Sequence, residues 1–189
     1  MDRRNNLTAQ ALLDCALSNP VNRALLHILG TLDLPGCYLT AGCLYQAYWN
    51  RQSGQPADWG INDYDIFYFD TDLSWEAENV VIERVAEACK GLTATIEVKN
   101  QARVHLWYES KFGAPYPRLR KATDGIDRYL VKATCIGLDV RSGELYSTHG
   151  LDELQNGVLR INPLNLQPAM FLHKAQSYQA RWPWLKIET

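Results

Sequence analysis

Two aspartates at the start of an apolar strand constrain this chain more than any other feature of its sequence. Residues 66–69 (Ile, Phe, Tyr, Phe) form a bulky apolar run of strand length, which predicts a buried β-strand. Asp63 and Asp65 stand at its entry, and side chains two apart on an extended chain point to one face, about 6–7 Å apart at Cα. Two such anions repel unless a cation lies between them. Carboxylate oxygens suit Mg²⁺, which normally takes one or two of them.

A glycine turn lies one helix upstream of this pair. The sequence predicts a short strand from Cys37 to Thr40, a small-residue turn at Ala41-Gly42-Cys43 and a helix from Leu44 to about Asn50. Glycine lets a backbone approach a ligand closely, and the free N–H groups at a helix start attract anions. Taken alone, Gly42 is explained by a tight turn, and an Asp-x-Asp by a turn or a helix cap. Their combination with the apolar strand favours a binding site.

This order of strand, glycine turn, helix and Asp-x-Asp strand resembles the signature of the polymerase-beta-like nucleotidyltransferases. In that superfamily the turn holds a nucleoside triphosphate and the aspartates hold the metals; the matching residues here are Gly42, Cys43, Asp63 and Asp65. Four later runs, at residues 97–113, 148–154, 158–163 and 174–185, are similar to a bacterial family of nucleotidyltransferase-like proteins of about this length. The resemblance extends from Tyr38 onward. It implies a fold and a class of chemistry, and no particular substrate.

The resemblance implies a catalytic and metal-binding set of Asp63, Asp65 and a third carboxylate from an adjacent strand, for which Glu97 is the candidate. Residues 93–99 alternate, which predicts a strand with Glu97 and Lys99 on its polar face. The order strand, helix, strand places Glu97 near the aspartates if the two strands are neighbours. Glu97 is equally well explained as a solvated residue paired with Lys99. The expected cofactor is Mg²⁺ or Mn²⁺, with a nucleoside triphosphate as substrate.

The predicted nucleotide contacts are Gly42, Cys43, Lys99 and Arg103. Lys99 or Arg103 would neutralise a phosphate oxygen, and an arginine would do so with bidentate geometry. Cys43 departs from the superfamily, which usually has serine at this place; because a thiol is a weak donor, its backbone N–H would hold the phosphate.

The spacing between the turn and the aspartates is also unusual. From Gly42 to Asp63 is 63 − 42 = 21 positions, which is longer than the compact spacing of the superfamily. Residues 51–60 (RQSGQPADWG) are the inserted loop, and we expect this loop to shape the acceptor pocket.

The whole pattern predicts one mixed α/β (α+β) domain over residues 1–189, with a nucleotidyltransferase-like central mixed sheet flanked by helices. Residues 1–35 would form N-terminal helices that pack on the sheet, and residues 36–185 the core. Helices are predicted at 8–17, from Pro20 towards Gly30, at 76–90, 101–112, 151–155 and 169–181, with a hairpin of residues 131–140 and 144–148 and an extended piece at 158–161. Trp107 and Tyr108 are expected to be packing residues, and the basic loop 118–121 a solvated charge run.

Composition limits the possible classes of protein. A chain of 189 residues that is 47% hydrophobic fits one domain with a substantial core. Its net charge of −2 argues against the broad basic surface of a protein that grips nucleic acid through phosphates. Five scattered cysteines predict reduced thiols and a cytoplasmic location. No apolar run approaches the roughly 18–20 residues that span a bilayer, so no membrane partner is expected.

Three hypotheses of function follow. The leading one is metal-dependent transfer of a nucleotidyl group from a nucleoside triphosphate to a hydroxyl on a small molecule, a nucleic acid or a protein. The alternative is a non-catalytic nucleotide-binding or regulatory module that keeps the fold, which Cys43 and the long spacing favour and the aspartate pair opposes. A structural partner protein is the third, and it predicts binding of neither metal nor nucleotide.

Overall fold

A computed structural model describes residues 6–188, which form a five-stranded sheet, a two-stranded sheet and the helices around them. The strands are β1 (Tyr38–Thr40), β2 (Tyr64–Tyr68), β3 (Ile96–Asn100), β4 (Ile136–Asp139), β5 (Leu145–Ser147), β6 (Val158–Arg160) and β7 (Lys186–Glu188). The α-helices are α1 (Ala9–Ala16), α2 (Pro20–Leu32), α3 (Gly42–Gln52), α4 (Trp75–Ala88), α5 (Tyr108–Phe112), α6 (Ala122–Ile126), α7 (Asp152–Asn156) and α8 (Pro168–Arg181). Two short 3₁₀ helices cover Gln101–Leu106 and Lys132–Thr134.

The larger sheet is mixed, and its strand order is β3-β2-β1-β4-β5. Strand β1 is antiparallel to both β2 and β4, whereas β2 and β3 are parallel and are joined through α4. Strands β4 and β5 form the predicted hairpin, in which Gly143 takes a positive φ of 72°. The expected central mixed sheet flanked by helices is confirmed.

The two faces of β2 enter two different apolar clusters. Ile66 lies in the main core with Leu39 of β1 and residues of α1, α2 and α3. Phe67 faces the other way, into a small cluster with Ile126 and Tyr129. Successive side chains of a strand point to opposite faces of the sheet. Ile66 therefore lies on the fully covered face and Phe67 on the partly covered one.

The N-terminal helices begin where capping chemistry predicts. Asn19 accepts a hydrogen bond from the N–H of Val21 and precedes Pro20, the first residue of α2. The side-chain amide of Asn19 also donates to the Tyr64 hydroxyl of β2 (3.1 Å), and Asn22 donates to the Cys43 carbonyl of α3 (2.8 Å). Helix α2 is thus fixed to α3 as well as to the sheet. None of the helices within residues 6–188 has the length and apolar character needed to cross a membrane.

Several boundaries differ from the predicted ones. The predicted helix 101–112 is broken at Trp107 into a 3₁₀ helix and α5. The break follows from contacts distant in sequence: Arg103 donates to the Leu73 carbonyl (3.0 Å) and pairs with Glu78 of α4, so tertiary contacts override local helix propensity. Residues 132–134 are a 3₁₀ turn instead of the start of the hairpin. Strand β7, which pairs in parallel with β6, was not predicted because three residues carry too little periodicity.

The inserted loop 51–60 is held by a buried asparagine. The Asn50 side chain is fully buried, accepts a hydrogen bond from the Trp182 indole N–H (2.9 Å), and donates to the carbonyls of Trp59 (2.8 Å) and Ala57 (3.2 Å). The ring of Trp59 also packs edge-on against Trp182 at 6.1 Å. The loop therefore lies against the C-terminal end of α8.

Asn50→Ala should lower the free energy of unfolding by about 3 kcal/mol, since it leaves the indole N–H and two carbonyls without partners in a buried place. Urea unfolding followed by tryptophan fluorescence measures the change. Gln52→Ala, an exposed position two residues along the same helix, is the control and should change stability by less than about 0.5 kcal/mol. A loss below 1 kcal/mol in Asn50→Ala would contradict this role.

Candidate active site

The partly covered face of the large sheet carries a cavity of about 360 Å³. Its lining comes from β2, β3, the start of α3, the segment from the first 3₁₀ helix to α5, the segment after α6, and α8. The polar and charged side chains that line it include Asp63, Asp65, Lys99, Gln101, Lys111, Arg128, Thr134, Asn165 and Lys174. Elements from both halves of the chain thus build one site.

The acidic residues meet across neighbouring strands. Asp63 immediately precedes β2 and Asp65 lies within it, and both line the cavity. The parallel register of β2 and β3 pairs Asp65 with Glu97, which confirms the predicted adjacency of the two strands. The Lys99 ammonium lies between the two strands, 2.5 Å from Glu97 Oε2 and 3.4 Å from Asp65 Oδ1.

Burial and this lysine set the protonation of the acidic groups. Burial raises the pKa of Asp65 to about 6; Lys99 opposes that rise, whereas the charges of Asp63 and Glu97 add to it. Glu97 is more exposed, and its hydrogen bond from Lys99 lowers its pKa. Burial would lower the pKa of Lys99, but Asp65 and Glu97 outweigh that effect and raise it. Lys99 is therefore a protonated internal counter-ion.

The donor set of the cavity fits a divalent metal at the aspartates. Two carboxylates facing one cavity are what Mg²⁺ normally takes from a protein, and a bound cation would relieve the cost of the buried Asp65 charge. Across residues 6–188 no group of three or more His, Cys, Asp or Glu side chains is arranged so that it could hold a metal ion. Glu97 does not complete such a group, because its carboxylate is hydrogen-bonded to Lys99.

The start of α3 contributes to the lining of the cavity. Ala41 and Gly42 line it, and no side chain caps the helix N-terminus. The uncapped N–H groups of a helix start, together with its dipole, attract phosphate. Ala41 rather than Gly42 takes the unusual backbone conformation (φ 65°, ψ −145°). A Cβ at Gly42 would lie 2.3 Å from Nε2 of Gln46, so a larger residue there would require the end of that flexible side chain to move.

One of the predicted nucleotide contacts, Arg103, lies elsewhere, whereas the contact predicted for Cys43 was its backbone N–H. The Cys43 side chain is fully buried and its thiol donates to the Thr40 carbonyl (3.2 Å), so only its backbone can face a ligand. Arg103 pairs with Glu78 and is not part of the cavity lining. The structure brings Gly42, Asp63, Asp65 and Lys99 to the cavity, while Glu97 is tied to it through Lys99.

Other lining residues were missed by sequence reasoning. They are the cations Lys111, Arg128 and Lys174 and the aromatic residues Trp107, Tyr108, Phe112, Tyr116, Tyr129 and Tyr178. These residues come from three stretches that are distant in sequence, residues 107–116, 128–129 and 174–178, so no single local pattern joins them. Trp107 and Tyr108, expected to be packing residues, line the cavity, whereas the inserted loop 51–60 contributes no lining residue.

Comparison with known proteins gives a family and a fold. Residues 27–187 match the model of a protein family described as Nucleotidyltransferase. A protein solved by NMR and described as a CCA-adding enzyme head domain is similar in structure, with a TM-score of 0.73, 25% sequence identity and 98% of each chain covered. No match is found among the curated proteins compared.

Ala41→Gly should raise the free energy of unfolding by about 1 kcal/mol, because glycine adopts the conformation of residue 41 without strain. For a domain of this size we expect the melting temperature to rise by roughly 2–4 °C in calorimetry. Gly42→Ala is the contrasting variant and should bring no such gain, because Gly42 has no positive φ to relieve and the added Cβ requires Gln46 to move. A lower melting temperature for Ala41→Gly would show that residue 41 carries no strain.

Asp65→Asn should change stability in a pH-dependent way. The carboxyl of Asp65 has a pKa of about 6 in the folded protein against 3.8 ordinarily, so the wild type loses stability as pH rises from 4 through 6. The variant has no carboxyl at this position and lacks that loss. The free energy of unfolding of the variant minus that of the wild type should therefore be about 2 kcal/mol larger at pH 8 than at pH 4. Urea unfolding at both pH values measures it.

Glu97→Gln provides the control of opposite sign. Its folded-state pKa is lowered, so the stability that its charge contributes is present above its ordinary pKa and is lost as pH falls. This variant should therefore lose more stability at pH 8 than at pH 3. Parallel pH profiles for both variants would contradict the charge arrangement.

Proposed function

The chain belongs to a family of nucleotidyltransferases, and on that basis we propose that it transfers a nucleotidyl group from a nucleoside triphosphate to a hydroxyl acceptor, with Mg²⁺ or Mn²⁺ as cofactor. The observation that carries the proposal is the meeting of Asp63 and Asp65 with the uncapped start of α3 in one cavity. The proposal rests on these two carboxylates and this helix start sharing one cavity. The acceptor is a hydroxyl of a small molecule, a nucleic acid or a protein.

The reaction exchanges one bond to phosphorus for another. The acceptor oxygen forms a bond to the α-phosphorus while the bond from that phosphorus to the bridging oxygen breaks. The electron pair of the broken bond leaves with pyrophosphate, and the hydroxyl proton passes to water at the open side of the cavity. An in-line displacement of this kind places the attacking and leaving oxygens on opposite sides of the phosphorus.

Six residues in and beside the cavity have a proposed task. The backbone N–H groups of Gly42 and Cys43 would bind the triphosphate, and the Lys99 ammonium would neutralise a phosphate oxygen. Asp63 and Asp65 would hold the divalent metal, and Glu97 would join them as third ligand once it releases Lys99. When bound, the metal neutralises charge at the transferred phosphoryl group and lowers the pKa of the acceptor hydroxyl.

Lys99 also favours a second candidate function. Its ammonium already balances Asp65 and Glu97, so the acidic residues have a counter-ion without any metal. A non-catalytic nucleotide-binding or regulatory module would not need a metal to balance these carboxylates. Calorimetric titration with nucleoside triphosphates and Mg²⁺, followed by a pyrophosphate assay, separates the two functions, because the module would bind nucleotide and release no pyrophosphate.

The state of the cysteines supports a reducing compartment. All five are free and buried. Unpaired thiols of this kind are typical of reducing compartments, and we therefore place the proposed activity in the cytoplasm.

Asp63→Asn and Asp65→Asn should each lower the rate of pyrophosphate release by at least about 1,000-fold, since each removes a carboxylate that would hold the catalytic metal. A coupled pyrophosphate assay with a panel of triphosphates and hydroxyl acceptors measures the rate. Both variants should stay folded, as judged by circular dichroism.

Asp58→Asn, in the inserted loop outside the cavity, is the matched control and should keep the wild-type rate. Undiminished pyrophosphate release in both site variants would reject the proposed function.

A further inference from the structure

Four aromatic rings form one side of the cavity, and we call this side the aromatic wall: Trp107, Tyr108, Phe112 and Tyr116. The rings of Tyr108 and Tyr116 lie 4.3 Å apart at an angle of 35°, and Tyr108 lies 4.7 Å from Phe112. Phe112 is 40% exposed, and Trp107 is half-buried. Large rings that pack on one another and still face a cavity offer a surface on which a planar ligand can stack.

Two cations without acidic partners accompany the aromatic wall. The Lys111 ammonium lies 5.3 Å from the Phe112 ring and 5.7 Å from the Trp107 ring, and the Arg128 guanidinium lies 5.2 Å from the Tyr116 ring. Neither cation forms a salt bridge to a carboxylate of residues 6–188. The Nε of Arg128 is buried and has no hydrogen-bond acceptor within the same part of the chain. A buried donor without a partner costs free energy, and an anion that accepts a hydrogen bond from this Nε–H would remove that cost.

The charge of the whole lining is positive. The cavity carries Lys99, Lys111, Arg128 and Lys174 against Asp63 and Asp65, which is four positive groups against two negative ones. Lys174 stands apart from the aromatic wall, 5.3 Å from the ring of Tyr178, whose hydroxyl contacts the Tyr45 hydroxyl of α3. One cation, Lys174, thus lies beside a tyrosine that contacts α3, whereas Lys111 and Arg128 lie on the aromatic wall.

The position of the aromatic wall assigns it to the acceptor, an inference that rests on the proposed function. If the start of α3 and Lys174 bind the triphosphate, the pyrophosphate leaves on that side of the aspartates. An in-line displacement then requires the acceptor to approach from the other side. The aromatic wall follows β3, the strand of Glu97 and Lys99, and the Lys111 charge helps to lower the pKa of Glu97.

We propose that the aromatic wall binds the acceptor, and that this acceptor carries a planar ring and a phosphate: a nucleoside phosphate, either free or at the end of a single nucleic-acid strand. The ring stacks on Trp107 and Phe112, and Arg128 binds the phosphate. The overall charge of −2 does not oppose this, because within the cavity lining four cationic side chains outnumber the two carboxylates.

The test is calorimetric titration of the full chain, with Mg²⁺ and a non-hydrolysable ATP analogue present to fill the donor side. The probes are AMP, adenosine and a four-nucleotide oligoribonucleotide. Trp107→Leu should weaken AMP binding at least fivefold through lost stacking. Arg128→Met should weaken AMP binding at least fivefold as well, yet leave adenosine binding unchanged. Trp75→Leu removes an exposed tryptophan outside the cavity and should change nothing.

The outcomes distinguish this inference from the proposed function. Failure of the ATP analogue to bind the wild type in the presence of Mg²⁺ would count against the proposed function itself. Normal binding of the analogue, together with equal AMP affinity in wild type and Trp107→Leu, would overturn the acceptor site alone. Weaker binding of the analogue in Trp107→Leu would overturn it too, since the aromatic wall would then hold the donor base.

Two further readouts complete the experiment. A shift of the Trp107 indole N–H signal on adding AMP to the wild type supports the site without any substitution, which guards against a variant that fails to fold. An unmoved signal at saturating AMP would contradict the site. Tighter binding of the oligoribonucleotide than of AMP identifies a strand end as the acceptor, and equal binding identifies a free nucleotide.

Discussion

The buried carboxylate of Asp65 and its lysine partner are the interaction on which the site depends. Asp65 lies on a central strand of the sheet, where burial raises its pKa to about 6, and Lys99 on the neighbouring strand is held between Asp65 and Glu97. Because the two strands are parallel and paired residue for residue, the backbone positions that carry these three side chains are fixed by the sheet. The cavity therefore carries fixed charge before any ligand arrives, and preorganised charge of this kind is what transfer of a phosphoryl group requires.

The opposite side of the site depends on backbone geometry. Ala41 takes a conformation that L-residues rarely adopt, and the surrounding core maintains it. At this turn the chain passes directly from β1 into α3, and the uncapped helix start lines the same cavity as Asp63 and Asp65. Cys43 contributes by packing: its thiol is buried against the Thr40 carbonyl, where the hydroxyl of a serine would face the same apolar core.

The parts of this protein that were predictable are those that local chemistry determines. Asn19-Pro20 marked the start of α2, and the alternation around Glu97 marked a strand whose polar face meets Asp65. The rest depends on distant partners. Arg103 was a reasonable phosphate ligand in the sequence, but Glu78, 103 − 78 = 25 positions away, binds it instead. Three features have no local signal in the sequence: the positive φ at Ala41, the helix break at Trp107 and the aromatic wall that follows this break. Packing rather than propensity determines them.

The fixing of α8 to α3 has a consequence for synthesis of the chain on the ribosome. The cavity needs both Ala41 and Tyr178, which are 178 − 41 = 137 positions apart, and Trp182 attaches α8 to Asn50. A nascent chain that has exposed the aspartates and the helix start still lacks one side of the reaction space. The full lining of the cavity thus forms only after α8 and Trp182 have left the exit tunnel, so the site is completed late in synthesis.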